Sequence, residues 1–433
     1  MNKYTSTLFQ SALLEEKYEK IDHPSGLSIY VFPKKMSATY ALFGTKYGSI
    51  NNTFRPFGAD SDVTVPDGIA HFLEHKLFFN EDGSDSFEHF SALGADANAY
   101  TAFDKTVYLF SCTDNFEESL AELVRFVTHP YFTDESVAKE IGIISEEIKM
   151  YDDMPSNRCF YGMLEGLYKS HSVRRNICGS EESIRQITPE LLYSCYNAFY
   201  RLDNMALVIC GNVSTEEVLR VVDPLLPKSH DGAPTVCANE NAYEGKEAYK
   251  PYVEQRMQVS KPLFDLGFKD TVLPASPNDQ LRKTICMAII NDILFAESGE
   301  LYASLLDRRL ISPSLSSGYT ICKSFAFNAI SGEANDPQAV AREILEHIAK
   351  VRERGIDKEA FLRTKKVMYA EWIMSFDSVE DIANELFNFV CDGAHMFDYT
   401  STLESITLED VENVFASAFD TSAMTLSVVK PID

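Results

Sequence analysis

The sequence lacks the features of several protein classes. It contains no CxxC pair, and its nine cysteines are odd in number and widely spaced. A disulfide framework or a zinc ribbon would need paired or closely spaced cysteines, so we expect reduced core thiols in a cytoplasmic protein. No stretch approaches the roughly 18 consecutive apolar residues of a membrane span. The first twenty residues have no apolar segment of the signal-peptide type, so we expect no signal peptide.

Basic residues are also scarce. Lysine and arginine number 39 against 65 aspartates and glutamates, which gives a formal net charge of −26. Nucleic acids and anionic membrane surfaces attract positively charged proteins, so this balance argues against both as partners. An acidic surface is most simply explained by solubility, and it would also suit basic peptides.

The order of predicted elements indicates an α+β fold. Residues 27–33 and 39–47 predict two neighbouring strands, and residues 99–112 predict another. Residues 66–80 predict a helix with Asp67 as its cap. Because consecutive strands are followed by runs of helices, we expect mostly antiparallel sheets packed with helices.

An internal repeat divides the chain. A helix after Ile187 and a strand at Met205 recur as a helix after Ile406 and a strand at Met424, at the same offset of 406 − 187 = 424 − 205 = 219 residues. The segment 229–250 has the composition of a linker. We therefore expect two homologous halves, residues 1–228 and 251–433, joined by a linker at 229–250.

The sequence His71-Phe-Leu-Glu74-His75 carries the strongest chemical signal. On a helix, His71 and His75 share one face and can hold one ion together. Glu74 projects from the flank of that face, where a carboxylate can act on a metal-bound water without being a ligand. Imidazoles with a carboxylate favour zinc. Two histidines on an exposed helix are the alternative, which the apolar neighbours Phe72 and Leu73 disfavour.

The order H-x-x-E-H is the inverzincin signature. Together with Gly94-Ala-Asp-Ala-Asn-Ala-Tyr-Thr101 and the segment 139–152, it resembles the M16 family of zinc metallopeptidases, the pitrilysin and insulinase type. The resemblance extends over almost the whole chain and is closest to bacterial YmfH-like members with two homologous halves. It implies a LuxS/M16-like fold closing as a clamshell, with one Zn²⁺ per chain in the first half.

The resemblance also implies further site residues. Glu147 is expected as the third metal ligand rather than Glu146, and Glu140, seven residues earlier on the same helix face, is expected to support the ligands. Asn98 is expected to hold the substrate backbone beside an edge strand. From the residues alone, a solvated helix face for the glutamates and a turn position for Asn98 stay open.

The second half departs from this pattern. A shift of 294 − 77 = 217 residues matches Leu77-Phe78 to Leu294-Phe295. The positions of the two histidines and Glu74 then fall on Ala288, Asn291 and Asp292. The second half is therefore expected to form a wall of the chamber without a metal. Family members use an arginine and a tyrosine there to stabilise substrate, but the spacing of Arg308, Arg309 and Tyr319 does not match that pattern.

We therefore expect a zinc-dependent endopeptidase that hydrolyses peptides or small unfolded polypeptides in a chamber between two halves. Glu74 would be the general base on zinc-bound water. The alternative is a non-hydrolytic or partner-dependent subunit of a heteromeric M16 peptidase or modification complex. The chain would then act as a homodimer or as a heterodimer with a second M16-like chain.

Overall fold

The structure is a computed structural model that describes residues 4–56, 59–228, 236–237 and 244–432. Most of the predicted linker at 229–250 therefore lies outside the described residues. The strands are β1 (Thr5–Ser11), β2 (Glu16–Asp22), β3 (Ser28–Pro33), β4 (Thr39–Thr45), β5 (Thr53–Arg55), β6 (Val63–Thr64), β7 (Asp96–Thr101), β8 (Thr106–Cys112), β9 (Met205–Gly211), β10 (Val236–Cys237), β11 (Tyr252–Met257), β12 (Leu263–Asp270), β13 (Ile311–Ile321), β14 (Ala326–Ala334) and β15 (Met424–Pro431).

Helices connect and cover these strands. They are α1 (Ile69–Leu77), α2 (Ser86–Leu93), α3 (Phe116–Thr128), α4 (Asp134–Asp152), α5 (Pro155–Leu167), α6 (Glu181–Ile184), α7 (Pro189–Phe199), α8 (Thr215–Val222), α9 (Pro277–Phe295), α10 (Glu300–Asp307), α11 (Pro337–Arg354), α12 (Lys358–Ser375), α13 (Val379–Asp392), α14 (Asp398–Ser405) and α15 (Leu408–Ser417). Among the described helices, none combines the length and apolar composition that a bilayer crossing requires.

The first compact unit comprises Met1–Ile148, Asn176–Ala238 and Trp372–Phe397. Its large sheet has the order β1-β2-β3-β9-β4-β8-β7, and a small sheet has the order β10-β5-β6. β3 and β9 run parallel, whereas the other neighbours in the large sheet are antiparallel. The prediction that residues 27–33 and 39–47 are neighbouring strands is wrong, because β9 lies between β3 and β4. Every residue of β9 is buried, as expected of a central strand.

The predicted single strand at 99–112 is also wrong. The structure has a hairpin there, in which β7 and β8 pair antiparallel across a turn at 102–105. The backbone N–H of Ala102 donates to the carbonyl oxygen of Lys105 at 2.8 Å, which closes the turn. Asp104 lies inside it, and aspartate is a common turn residue that an alternation of apolar residues does not reveal. The hairpin makes β7 an edge strand of the described sheet.

The second compact unit comprises Lys149–Arg175, Asn239–Glu371 and Asp398–Asp433. Its sheet has the order β11-β15-β12-β14-β13, and β11 and β15 run parallel. This matches the order β3-β9-β4-β8-β7 of the first unit, including the position of the parallel pair. Met205 and Met424 open the corresponding strands β9 and β15, so the repeat and the α+β class predicted from the sequence are confirmed.

Each unit contains one helix from the other part of the chain. α5 packs on β11, β12 and β15 of the second unit, and α13 packs on β4 and β9 of the first. The compact units thus draw on both of the ranges 1–228 and 251–433, and those domain limits stay a prediction.

Glycines permit the close approach of both helices. A Cβ atom at Gly44 of β4 would lie 2.1 Å from the ring of Phe387 in α13. A Cβ atom at Gly166 of α5 would lie 2.2 Å from Oγ1 of Thr425 in β15. Thr425 is fully buried, and its hydroxyl donates to the carbonyl oxygen of Lys250 at 2.7 Å, so it has little room to move. At both contacts the missing side chain sets the distance between helix and sheet.

We expect Gly166→Ala to destabilise the protein although alanine is the better helix former. Overpacking against Thr425 costs about 1–3 kcal/mol, which exceeds the gain of roughly 1 kcal/mol from helix propensity. Gly142→Ala in α4 is the matched control, because a Cβ atom there meets nothing within 4 Å. Thermal unfolding should show a lower midpoint for Gly166→Ala and an equal or higher one for Gly142→Ala. Equal midpoints for the two variants would contradict this account of the packing.

Candidate metal centre

The helix that carries the histidines begins later than the sequence predicts. α1 starts at Ile69 after Gly68, whose φ of 90° lies in the left-handed region that favours glycine. A Cβ atom at Gly68 would lie 2.4 Å from the carbonyl oxygen of Cys178, so the two segments meet closely. The predicted cap at Asp67 is wrong, because its carboxylate accepts a hydrogen bond from Asn52 at 2.8 Å and the helix has no side-chain cap.

α1 presents two imidazoles from a buried position. The ring centroids of His71 and His75 are 4.6 Å apart, as expected for residues one turn apart on one face. His71 and Glu74 are each 7% exposed, and Phe72 and Leu73 between them are fully buried. The helix is therefore buried on several sides, in agreement with the sequence analysis.

α4 brings a carboxylate to both imidazoles. Glu147 places Oε1 3.7 Å from Nε2 of His71 and Oε2 3.4 Å from Nε2 of His75. Ile144 and Ile148 are buried on the packed side of α4, which leaves Glu147 facing α1. These distances are longer than a normal N–H···O hydrogen bond of about 2.7–3.2 Å.

The three side chains fit a zinc ion. One ligand atom from each of His71, His75 and Glu147 lies within 4.8 Å of the others, and in the described part of the chain no other such group of histidine, cysteine and acidic residues occurs. Neighbouring donors in a tetrahedral zinc site with bonds of about 2.0–2.1 Å lie roughly 3.3 Å apart. The two Nε2-to-carboxylate distances of 3.4 and 3.7 Å are close to that separation. Three protein donors also leave a fourth position for water or substrate, as catalytic zinc requires.

The two imidazoles differ in pKa. Desolvation, with a smaller contribution from the neighbouring His75, lowers the pKa of His71 to about 3, so its ring is neutral near pH 7. For His75, burial alone would lower the pKa, but the hydrogen bond to Glu140 and the charges of Glu74, Glu140 and Glu147 outweigh it and raise the pKa. A cation bound at Nε2 would displace the proton that these carboxylates attract.

Glu74 lies beside the donors rather than among them. Its Oε2 accepts a hydrogen bond from the Thr101 hydroxyl at 2.6 Å. Burial raises the pKa of Glu74 to about 7, although the Thr101 hydrogen bond and the charge of His75 oppose the shift. A carboxyl group that titrates near neutrality can both accept and return a proton. Sequence reasoning missed Thr101, although it belongs to the quoted segment Gly94–Thr101 and comes three residues after Asn98.

Glu140 contacts His75 from behind. Nδ1 of His75 donates to Oε1 of Glu140 at 3.1 Å, and Nζ of Lys76 lies 3.7 Å from Oε2. Burial would raise the pKa of Glu140, but the hydrogen bond from His75 and the charges of His75, Lys76 and Lys139 lower it on balance. Glu140 thus contacts a proposed ligand without being one of the three donors, and its supporting role stays a prediction. Lys76 was not singled out from the sequence, because nothing in the spacing shows that it turns toward Glu140.

A thiol lies next to the donor atoms. Sγ of Cys178 is 3.9 Å from Nε2 of His71, in the segment that meets Gly68. Burial, followed by the charges of Glu147 and Glu74, raises the pKa of Cys178 to about 12. The group is therefore a protonated thiol near pH 7 in the metal-free protein.

The structure does not bring the Asn98 side chain to the donors. Asn98 is exposed, and its Oδ1 accepts a hydrogen bond from the backbone N–H of Ala99 at 2.8 Å. Side chains alternate along a strand, so Asn98 and Thr101 point to opposite faces of β7, and Thr101 is the one directed at Glu74. Because β7 is an edge strand of the described sheet, its backbone is still placed for pairing with an extended chain.

The corresponding positions of the second unit carry no imidazoles. Nδ2 of Asn291 in α9 donates to Oδ1 of Asn328 at 2.8 Å, and Asp292 accepts a hydrogen bond from the Thr364 hydroxyl at 2.6 Å. Ala288 offers no donor. Two other residues considered in the sequence analysis are engaged within the unit: Arg308 pairs with Glu343 at 2.6 Å, and the Tyr319 hydroxyl donates to Asp270 at 2.8 Å. Arg309 has a positive φ of 55°.

We expect Glu140→Gln to weaken zinc binding about 10- to 100-fold, the usual effect of removing a hydrogen-bond partner of a metal-ligating histidine. The amide cannot match the carboxylate as an acceptor for Nδ1 of His75. Glu146→Gln is the control, because Glu146 is exposed on the same helix and is not one of the three donors. Competition with a chromophoric chelator would measure both affinities, and equal values would contradict a supporting role for Glu140.

Two family models match different parts of this chain. The family model described as Insulinase (Peptidase family M16) matches residues 57–181, and the one described as Peptidase M16 inactive domain matches residues 186–368. A Bacillus subtilis protein named as the uncharacterized zinc protease YmfH is 39% identical over 98% of this chain and 97% of its own length. A Schizosaccharomyces pombe protein named as a beta subunit of mitochondrial-processing peptidase is 29% identical over 38% of this chain and 37% of its own length.

A solved structure is similar over the full length. The crystal structure of an M16-like peptidase from Alicyclobacillus acidocaldarius superposes with a TM-score of 0.89 at 32% identity, covering 100% of this chain and 99% of that one. The identity to YmfH over nearly the whole chain, the two family models and the H-x-x-E-H helix all lead to one conclusion: this chain belongs to the M16 family of peptidases.

Proposed function

We propose that the chain is a zinc metalloendopeptidase that hydrolyses peptides or small unfolded polypeptides. His71, His75 and Glu147 would hold one zinc ion, and Glu74 would be the general base. The observation that carries the proposal is the convergence of the three donor groups within 4.8 Å. The carboxyl group of Glu74 is buried on α1, the helix that also carries both histidines. Relatives named as zinc proteases support the choice of metal.

The bound zinc ion would act as a Lewis acid, which lowers the pKa of a water molecule and polarises the substrate carbonyl. The neutral ring of His71 supplies a lone pair at Nε2 without first losing a proton, because burial holds its pKa at about 3. Nε2 of His75 would be the second donor after the cation displaces its proton, while Nδ1 keeps its proton and donates to Glu140. The carboxylate of Glu147 adds a negative charge that attracts the cation.

Glu74 would carry the proton through the reaction. Thr101 donates to Oε2 and fixes the carboxyl plane, so we assign proton transfer to Oε1. Oε1 accepts a proton from the attacking water and later gives it to the leaving amine. A pKa raised to about 7 by burial suits both steps, because the group neither holds its proton too tightly nor loses it too readily.

The substrate would bind as an added strand. β7 pairs with β8 on one side only within the described sheet, and Thr101 at its end contacts Glu74. An extended peptide paired with β7 would therefore pass near the general base, and backbone pairing accepts many sequences. Asn98, exposed in the middle of β7, would contact such a peptide beside this edge.

We expect Glu74→Gln to lower kcat for a quenched peptide substrate by roughly 10²- to 10⁴-fold, the usual contribution of a general base. Zinc content should be unchanged, because Glu74 is not one of the three donors. Glu81→Gln, an exposed glutamate just after α1, is the control and should retain wild-type turnover. Peptide hydrolysis and metal analysis of the same samples would separate loss of catalysis from loss of metal.

Dependence on a second chain is the alternative outcome. The second unit has Ala288 and Asp292 in place of the two histidines and Asn291 in place of Glu74. Its Tyr319 is already bonded to Asp270. A lone chain that binds zinc but cleaves only after addition of a second M16-like chain would favour the partner-dependent subunit. A wild-type chain that binds no zinc, or that cleaves as well after Glu74→Gln, would contradict the proposed mechanism.

A further inference from the structure

A buried lysine lies directly behind the candidate metal centre. Lys76 follows His75 in α1 and is only 2% exposed. Lysine is almost never fully buried unless its charge is paired, and the position lies away from the imidazole face of the helix. The proposed mechanism makes no use of this charge.

Lys76 contacts a carboxylate and an aromatic ring, both within the first unit. Its Nζ lies 3.7 Å from Oε2 of Glu140 and 4.8 Å from the centre of the Phe79 ring. The aromatic face stabilises the ammonium group, and the carboxylate balances its charge. The side chain is thereby held in one place rather than free to reach solvent.

The two oxygens of Glu140 are divided between two cationic or donor groups. Oε1 accepts the hydrogen bond from Nδ1 of His75 at 3.1 Å, while Oε2 faces Lys76. Because a carboxylate is planar, contacts at both oxygens fix its rotation. The direction of the His75 ring then follows from that of the carboxylate, and Nε2 on the opposite side of the ring is directed at Glu147, 3.4 Å away.

Of the two histidines, only His75 has a hydrogen bond at Nδ1 that orients its ring. Nδ1 of His71 is buried and has no hydrogen-bond partner among the described residues, so no acceptor holds this ring at Nδ1 as Glu140 holds that of His75. The side chain of His75 is more exposed than that of His71, at 26% against 9%, and depends on its hydrogen bond for orientation. A buried ion pair is weak evidence for stability, so its value here lies in geometry.

We infer that Lys76 is a positioning residue of the metal centre, which holds Glu140 in the orientation that directs Nε2 of His75 toward the metal. The inference rests on the proposed metal site. It differs from a purely electrostatic role, because removing a nearby cation would by charge alone strengthen the binding of Zn²⁺. Loss of positioning weakens binding instead, so the sign of the change decides between the two roles.

The test is the zinc affinity of full-length variants, measured by competition with a chromophoric chelator. Lys76→Met keeps the length of the side chain without its charge, and we expect affinity to fall about tenfold, at the lower end of the effects of supporting residues. Lys76→Arg should stay within about threefold of the wild type. Lys139→Met is the matched control, because Lys139 is an exposed neighbour of Glu140 whose charge is screened by solvent.

A double-mutant cycle with Glu140→Gln tests the route of the effect. If Lys76 acts through Glu140, adding Lys76→Met to Glu140→Gln should not weaken zinc binding further. Additive losses, an unchanged affinity or a tighter one in Lys76→Met would overturn the inference. A lower unfolding midpoint of the metal-free protein with unchanged zinc affinity would also overturn it, since that is the result of a structural role. Failure of the wild type to bind zinc would instead contradict the proposed function.

Discussion

The packing of α4 against α1 is the contact on which the centre depends. It places the carboxylates of Glu140 and Glu147 on opposite sides of the His75 ring, at 3.1 and 3.4 Å. Glu74 adds a third carboxyl group, which is buried on α1 with His75. Gathering so much negative charge away from water is unfavourable unless a cation is present. In the proposed function, the demand for a metal follows from how two helices pack, and the neutral ring of His71 supplies a donor without first losing a proton.

The duplicated fold shows what happens when this demand is removed. Both units build the same five-strand order, yet α9 carries Asn291 and Asp292 where α1 carries the general base and a ligand. Nδ2 of Asn291 donates to Asn328 and Asp292 accepts from Thr364, so each of the two side chains has a protein partner within the unit. The architecture alone does not create the centre. It provides a buried helix beside a sheet, and the donors on that helix decide whether a cation is needed.

The sequence predicts well which side chains meet between α1 and α4, and it predicts their surroundings poorly. The i,i+4 spacing of the histidines and the seven-residue spacing of Glu140 and Glu147 are local properties of single helices, and the structure brings all four side chains together. The 219-residue repeat likewise predicted two homologous halves, and the two units share one five-strand order. The insertion of β9 between β3 and β4, and the contacts of Thr101 and Lys76, could not be predicted. These contacts join segments that are far apart in the chain. The spacing of apolar and polar residues within a segment does not show which distant segment it will contact.

Those unpredicted contacts decide what each glutamate can do. Glu74 and Glu140 are both largely buried, yet burial raises the pKa of Glu74 to about 7, whereas the pKa of Glu140 is lowered. Glu74 receives one neutral donor, the Thr101 hydroxyl, which does not offset its desolvation. Glu140 lies between His75 and Lys76, which stabilise its charged form. Glu74 is thereby suited to exchange a proton near neutrality, and Glu140 is suited to remain an anion that orients a proposed ligand. In the sequence alone both residues are simply glutamates.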